Sequence, residues 1–179
     1  MKILSVRIIR RIEEEPDLTQ QLGSYTGDGA DWNICRCCGQ YVALLHKNHP
    51  FGRRLPDNEL RFFKPIAGDE KPGSENYKKF GKDDYKRMEA FNKGEWHQLG
   101  VSAEAVICLS SCSSLTQTIT SEVMWGVESD ADADYMREIE KGQLKVLRLE
   151  LGFIGFSNKD IDEAFEKLLK LTEACGREA

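Results

Sequence analysis

The chain has 179 residues, of which 40% are apolar and 31% charged, with a formal net charge of -5. That length can bury a real core without disulfide staples, and the balance is too apolar for a disordered chain and too charged for a membrane-embedded one. The mild acidity favours solubility and speaks against a protein that simply coats DNA.

Residues 2–9, with Ile3, Leu4, Val6, Ile8 and Ile9, form a short β-branched run that predicts a buried strand. The interspersed Lys2, Arg7, Arg10 and Arg11 do not fit a secretory leader, and no later apolar run reaches the length of a membrane span, so a cytoplasmic protein is expected. Residues 23–75, broken by Pro50, Pro56, Pro65, Pro72 and several glycines, read as a loop-rich subregion. Residues 76–92 return to helical spacing through Tyr77, Phe80, Tyr85, Met88 and Phe91, with Gly94 as a stop.

Residues 96–109 alternate imperfectly and predict a strand with an irregularity at Gly100. Residues 116–127 are a second strand-prone run, and the short connection predicts an antiparallel hairpin beside the first strand. Two amphipathic helices are expected over 130–151 and 159–175, with Ser129 as N-cap of the first and Gly142 as a point where it could bend or divide. The order of elements predicts an α+β fold in a single domain, 1–179: a small antiparallel sheet, from the N-terminal strand and the central hairpin, packed against two C-terminal helices.

The sharpest local pattern is Cys35-Arg36-Cys37-Cys38-Gly39 followed by His46 and His49. Two-residue spacing lets a tight turn aim the sulfurs of Cys35 and Cys38 at one metal, with Gly39 letting the backbone curl beneath it. Cys35, Cys38, His46 and His49 are therefore the candidate ligands of one structural zinc that would pin the loop-rich segment. The seven residues between the pairs are fewer than in the common zinc-finger spacing, which leaves two alternatives: cysteines buried as small apolar residues, or a reactive thiol. Cys108 and Cys112 flank a turn and form a second candidate thiol pair, and His97 supplies a formal Cys-His pairing. The run Asp130-Ala131-Asp132-Ala133-Asp134 opens like a calcium loop, but Tyr135 stands where glycine is needed and Lys141 where a glutamate is needed, so a helix start is the better reading.

Charge is uneven along the chain. Residues 36–93 hold thirteen Lys/Arg against eight Asp/Glu, and residues 128–179 hold the reverse. The basic segment also carries Phe51, Phe62, Phe63, Tyr77, Phe80, Tyr85 and Phe91, which makes Arg53, Arg54, Lys78 and Lys79 candidates for nucleic-acid contact. The acidic half offers Asp132, Asp134, Glu138 and Glu140 on the first C-terminal helix as a surface for a basic partner groove. No phosphate loop, nucleophile elbow or paired-carboxylate signature is present, and a non-catalytic protein is expected.

The segments Asp84-Tyr85-Lys86-Arg87-Met88-Glu89-Ala90-Phe91-Asn92-Lys93-Gly94-Glu95-Trp96, Gly100-Val101-Ser102-Ala103-Glu104-Ala105, Gln117-Thr118-Ile119-Thr120-Ser121 and Trp125-Gly126-Val127-Glu128-Ser129-Asp130 resemble a group of uncharacterised small proteins of bacteriophages, prophages and plasmids. Val6-Arg7-Ile8-Ile9, Pro16-Asp17-Leu18 and Asp134-Tyr135 extend the likeness. The resemblance implies a mobile-element setting and a protein that binds host machinery, such as an inhibitor or modulator of a defence or nucleic-acid-processing complex. The alternative expectation is a nucleic-acid-binding accessory protein that uses residues 36–93.

Overall fold

The computed structural model describes residues 1–45, 60–68, 70–109 and 115–175, the side chains of 169–175 excepted. In chain order its elements are β1 (Lys2–Ile12), β2 (Gly23–Thr26), β3 (Ile34–Cys35), β4 (Gln40–Tyr41), a single 3-10 turn (Val42–Leu44), β5 (Phe62–Pro65), α1 (Glu75–Asn92), β6 (Gln98–Cys108), β7 (Thr116–Thr120), β8 (Met124–Glu128), α2 (Ala133–Ile154) and α3 (Asn158–Cys175). The fold is α+β with antiparallel sheets, and the N-terminal strand and the central strands lie together as the sequence predicts. The chain forms two compact units, Met1–Glu14 with His97–Ala179, and Glu15–Trp96.

In the first unit β6 is the central strand. β1 runs antiparallel along its full length, from Lys2 opposite Cys108 to Ile12 opposite Leu99. A register shift between Ile3 and Ser5 inserts an extra residue, so Ile3 and Val6, three apart, both reach the core while Leu4 stays exposed. β7 and β8 pair with successive halves of β6. The run 116–127 is thus strand in two pieces, interrupted at 121–123. Ser121 bridges the interruption: its N–H donates to the Ala103 carbonyl (2.9 Å), and its hydroxyl accepts from the Ala103 N–H (2.9 Å) and donates to Gln143 Oε1 (2.7 Å). The irregularity expected at Gly100 is a register shift between Leu99 and Val101, where a Cβ would collide with the Trp125 ring.

Ala103, Ala105 and Ile107 of β6 pack with Leu147 and Leu151 of α2 and with Ile161 and Ala164 of α3. Leu147 and Leu151 are fully buried, and each removal from water contributes about 1.5–3 kcal/mol. A second cluster joins Val101 and Val127 to Met136 and Ile139. α2 departs from expectation at both ends. Its N-cap is Asp132, whose carboxylate accepts from the N–H groups of Asp134 and Tyr135, because the Ser129 hydroxyl is already accepting from the His97 N–H (2.9 Å). The helix passes Gly142 without a break and ends at Gly155, which holds the left-handed φ of 106° that glycine adopts without strain.

The second unit places a sheet, in the order β2-β5-β3-β4, inside the region expected to be loop-rich. Its core is aromatic, with Tyr41, Phe63, Tyr77 and Trp96 buried together with Leu18, Ile34 and Met88. α1 matches the expected helix: the Ser74 hydroxyl caps it by accepting from the Tyr77 N–H, and Gly94 follows its end at φ 73°.

Candidate metal centre

β3 and β4 form a two-residue-deep hairpin, with Ile34 opposite Tyr41 and Cys35 opposite Gln40, so residues 36–39 make the whole connection. The Cys35 carbonyl accepts from the N–H groups of Cys38 (3.3 Å) and Gly39 (2.7 Å), and Gly39 takes a φ of 70° that would strain any residue with a Cβ. This curl gathers the sulfurs of Cys35, Cys37 and Cys38 within 4.8 Å of one another, a cluster that could hold a metal ion. Cys35 is buried, Cys37 half-buried and Cys38 exposed, so the cluster opens to solvent on the Cys38 side. Cys35 and Cys37 lie 3.1 Å apart, and tetrahedral zinc with Zn–S bonds of about 2.3 Å would spread them to about 3.8 Å.

The turn is held from several directions. The Arg36 N–H donates to the Arg61 carbonyl (3.1 Å) and its guanidinium donates to the Leu60 carbonyl (3.0 Å). The same guanidinium stacks 4.1 Å over the Tyr25 ring and lies 3.7 Å from Glu89 of α1. Tyr25 donates to Glu89 (2.7 Å), and Tyr85 donates to the Arg36 carbonyl (3.2 Å). Such bracing fixes the donor atoms before a ligand arrives, which is what a tight metal site requires. Burial, with the hydrogen bond to Cys37 behind it, pushes the Cys35 thiol up to about 12. That shift makes Cys35 itself a poor candidate for a reactive thiol.

Of the candidate ligands, Cys35 and Cys38 are brought together, while His46 and His49 lie outside the described residues. Cys37 joins the cluster although the two-residue spacing pointed only to Cys35 and Cys38, and no local signal marked it. Cys108 is buried at the end of β6 in the other unit, His97 stands half-buried just before that strand with its N–H bonded to Ser129, and Cys112 lies outside the described residues.

The acidic candidates on α2 are mostly engaged within their own unit. Asp132 is the helix cap, Asp134 pairs with Arg137, and Glu140 accepts from Arg10 of β1 (2.5 Å), which leaves Glu138 exposed. Arg53 and Arg54 lie outside the described residues. Lys78 pairs with Glu75 (2.7 Å), and Lys79 sits 5.8 Å over the ring of Phe80, which is exposed. The other described aromatics of the basic segment pack against or within the core of the second unit or are buried, which takes them away from base stacking.

The chain matches no protein-family model, no curated protein and no solved structure. No helix among the described residues is long and apolar enough to cross a membrane. Function must therefore be argued from the chemistry of sites and surfaces.

The aromatic core carries a pH dependence of its own. Burial raises Tyr25, with the bond to Glu89 adding to it, and burial raises Tyr41, with Tyr77 adding to it, both far above the ordinary tyrosine value of 10.0. The unfolded chain then loses these protons first, so the folded state binds more protons and stability falls as pH rises above about 10. Alkaline titration should show delayed tyrosinate absorbance followed by cooperative loss of near-ultraviolet dichroism. Tyrosinate forming smoothly near pH 10 without unfolding would contradict the buried network.

Proposed function

We propose that this is a non-catalytic binding protein of a phage or other mobile element, which modulates a host complex by docking a protein partner on the outer face of α2. One observation carries the reading. Gly142, Val146, Leu149 and Phe153 follow one another at four-, three- and four-residue steps, and so form a row along the helix. Leu149 is 63% and Phe153 89% exposed, on a helix whose opposite face is buried in the core. A contiguous apolar row on a soluble surface is the usual mark of a helix that fits a partner's groove, and Glu138 and Lys145 beside it supply a charged rim. The acidic surface suggested by sequence is thus secondary, since three of its four carboxylates already have local work. The phage or mobile-element origin rests on the sequence resemblance.

In the same reading, the metal cluster is structural: one Zn²⁺ on Cys35 and Cys38, completed by Cys37 or by His46 and His49, orders the hairpin of the second unit. The nucleic-acid alternative retains Lys79 against exposed Phe80; it requires binding that falls steeply with salt and with neutralisation of Arg53, Arg54, Lys78 and Lys79.

The test is affinity capture from host lysate with the wild-type chain, a Leu149→Glu/Phe153→Glu variant and a variant neutralised at Asp132, Asp134, Glu138 and Glu140. Both apolar positions are exposed, so their replacement leaves the core intact. A partner retained by the wild type should be lost at least tenfold by the first variant and largely kept by the second. Equal retention by the apolar variant would overturn the proposed surface, and sedimentation showing only self-association through this row would overturn the host-partner reading.

A further inference from the structure

The unit built on β1, β6, α2 and α3 contains a cavity of about 640 Å³, lined by Arg7, Ile8 and Arg10 of β1, Arg137, Glu140, Lys141 and Leu144 of α2, and Leu168 of α3. That volume lies within the range of small-molecule sites, and neither the metal cluster nor the apolar row of α2 forms part of it. A second, smaller cavity of about 320 Å³ shares Arg10 and Arg137 and is otherwise walled by Ser129, Ala131, Ala133 and Met136. The two arginines therefore stand in the walls of both cavities.

The lining is of two kinds. Ile8, Leu144 and Leu168 give an apolar wall, and all three pack against the main core, which fixes their positions. The polar part holds four cationic side chains and one carboxylate. Glu140 is engaged by Arg10 through Nε (2.9 Å) and Nη2 (2.5 Å), and Arg7 is held by Glu104 (2.9 Å). Lys141 is exposed and pairs with no acid among the described residues. Arg137 pairs with Asp134 only as an exposed neighbour three residues away on the same helix, a weak attachment that it can leave for a ligand at little cost.

A cavity that combines an apolar wall with a surplus of cations in its lining is complementary to an apolar body that ends in an anion. We propose that this cavity binds a small amphipathic anion, an acyl or aryl chain ending in a carboxylate or phosphate, with the chain against Ile8, Leu144 and Leu168 and the head group at Lys141 and Arg137. Guanidinium and ammonium donors serve both head groups, so the chemistry is common to free fatty acids and to phosphate monoesters. Repulsion between the anion and Glu140 is unfavourable, and Arg10 offsets it by holding that carboxylate.

Calorimetric titration of the full chain with decanoate, decyl phosphate, decylamine and inorganic phosphate tests the proposal. The first two should bind, with whichever head group is preferred identifying the source. Decylamine and inorganic phosphate should bind at least tenfold more weakly, because one lacks the anion and the other the chain. Lys141→Glu, an exposed substitution whose thermal midpoint should match wild type, should weaken decanoate and decyl phosphate at least tenfold, and Glu140→Gln should not weaken them. Binding of decylamine as tight as that of decanoate, an unchanged affinity in Lys141→Glu, or no binding of either anion would overturn the assignment.

Discussion

Replacing Cys35 and Cys38 together with serine should abolish metal binding and lower the thermal midpoint of the Glu15–Trp96 unit by more than about 10 °C. Structural zinc sites contribute folding free energy outright, and in isolated peptides that contribution is about 10–16 kcal/mol. Here the unit has its own aromatic core, so the share carried by the metal is smaller, about 3 kcal/mol or more, and each 1 kcal/mol shifts the midpoint of a unit of this size by about 4–8 °C. Chelator added to the wild type should reproduce the shift, and chelator added to the double variant should add nothing. Cys37→Ser separates the two ligand sets: an equal loss places Cys37 in the coordination shell, whereas full retention assigns the remaining positions to His46 and His49. A double variant as stable as wild type, with or without chelator, would remove the structural role of the cluster.

Trp96→Ala should destabilise the same unit by about 3–5 kcal/mol, the range for truncating a large buried aromatic side chain. Trp96 is 1% exposed, packs edge-on against Phe91 at 5.2 Å and carries the Arg87 guanidinium 3.8 Å over its ring. Its indole N–H donates to the Arg87 carbonyl (3.0 Å), so the side chain ties the segment after Gly94 back onto α1. Trp96→Phe should lose less than half as much, because it keeps most of the apolar body and gives up the hydrogen bond. Denaturant titration measures both, and a change below about 1 kcal/mol for Trp96→Ala would show that the ring is not a core element.

How far the fold was legible follows the length and purity of each signal. β1 and β6 each run for eleven residues with β-branched or alternating apolar positions, and α1 carries a cap, a periodic face and a glycine stop, so local pattern and tertiary structure agree. β3 and β4 are two residues each, too short to show any alternation, and their pairing is set by contact with β5 and the aromatic core. Pro65 and Gly23, residues that read as loop, face each other at the end of β2 and β5, where the extra freedom of glycine permits the close approach. The N-cap of α2 was misplaced because serine and aspartate cap equally well, and only the tertiary use of Ser129 by the His97 N–H decides between them.

The metal site was half legible. The spacing of Cys35 and Cys38 together with Gly39 foretold a curled turn, and the turn exists. That Cys37 shares the cluster was not readable, since adjacent side chains in an extended segment point apart and only the local curl reverses this. The bracing by Arg36, Tyr25, Tyr85 and Glu89 spans up to 64 residues of sequence and left no local trace. The acidic surface of α2 was legible as composition but only partly as availability: the Asp134–Arg137 pair is a local three-residue step along the helix, whereas Arg10 as the partner of Glu140 becomes visible only once β1 and α2 are packed.

The most direct test of the account is X-ray absorption at the zinc edge, combined with elemental analysis, on protein purified without chelator. The predicted result is close to one zinc per chain, with two or three sulfur ligands at about 2.3 Å and the remainder nitrogen or oxygen. Zinc absent from the purified chain and not taken up on addition, or bound with no sulfur in its shell, would contradict the assignment of Cys35, Cys37 and Cys38 as a metal centre.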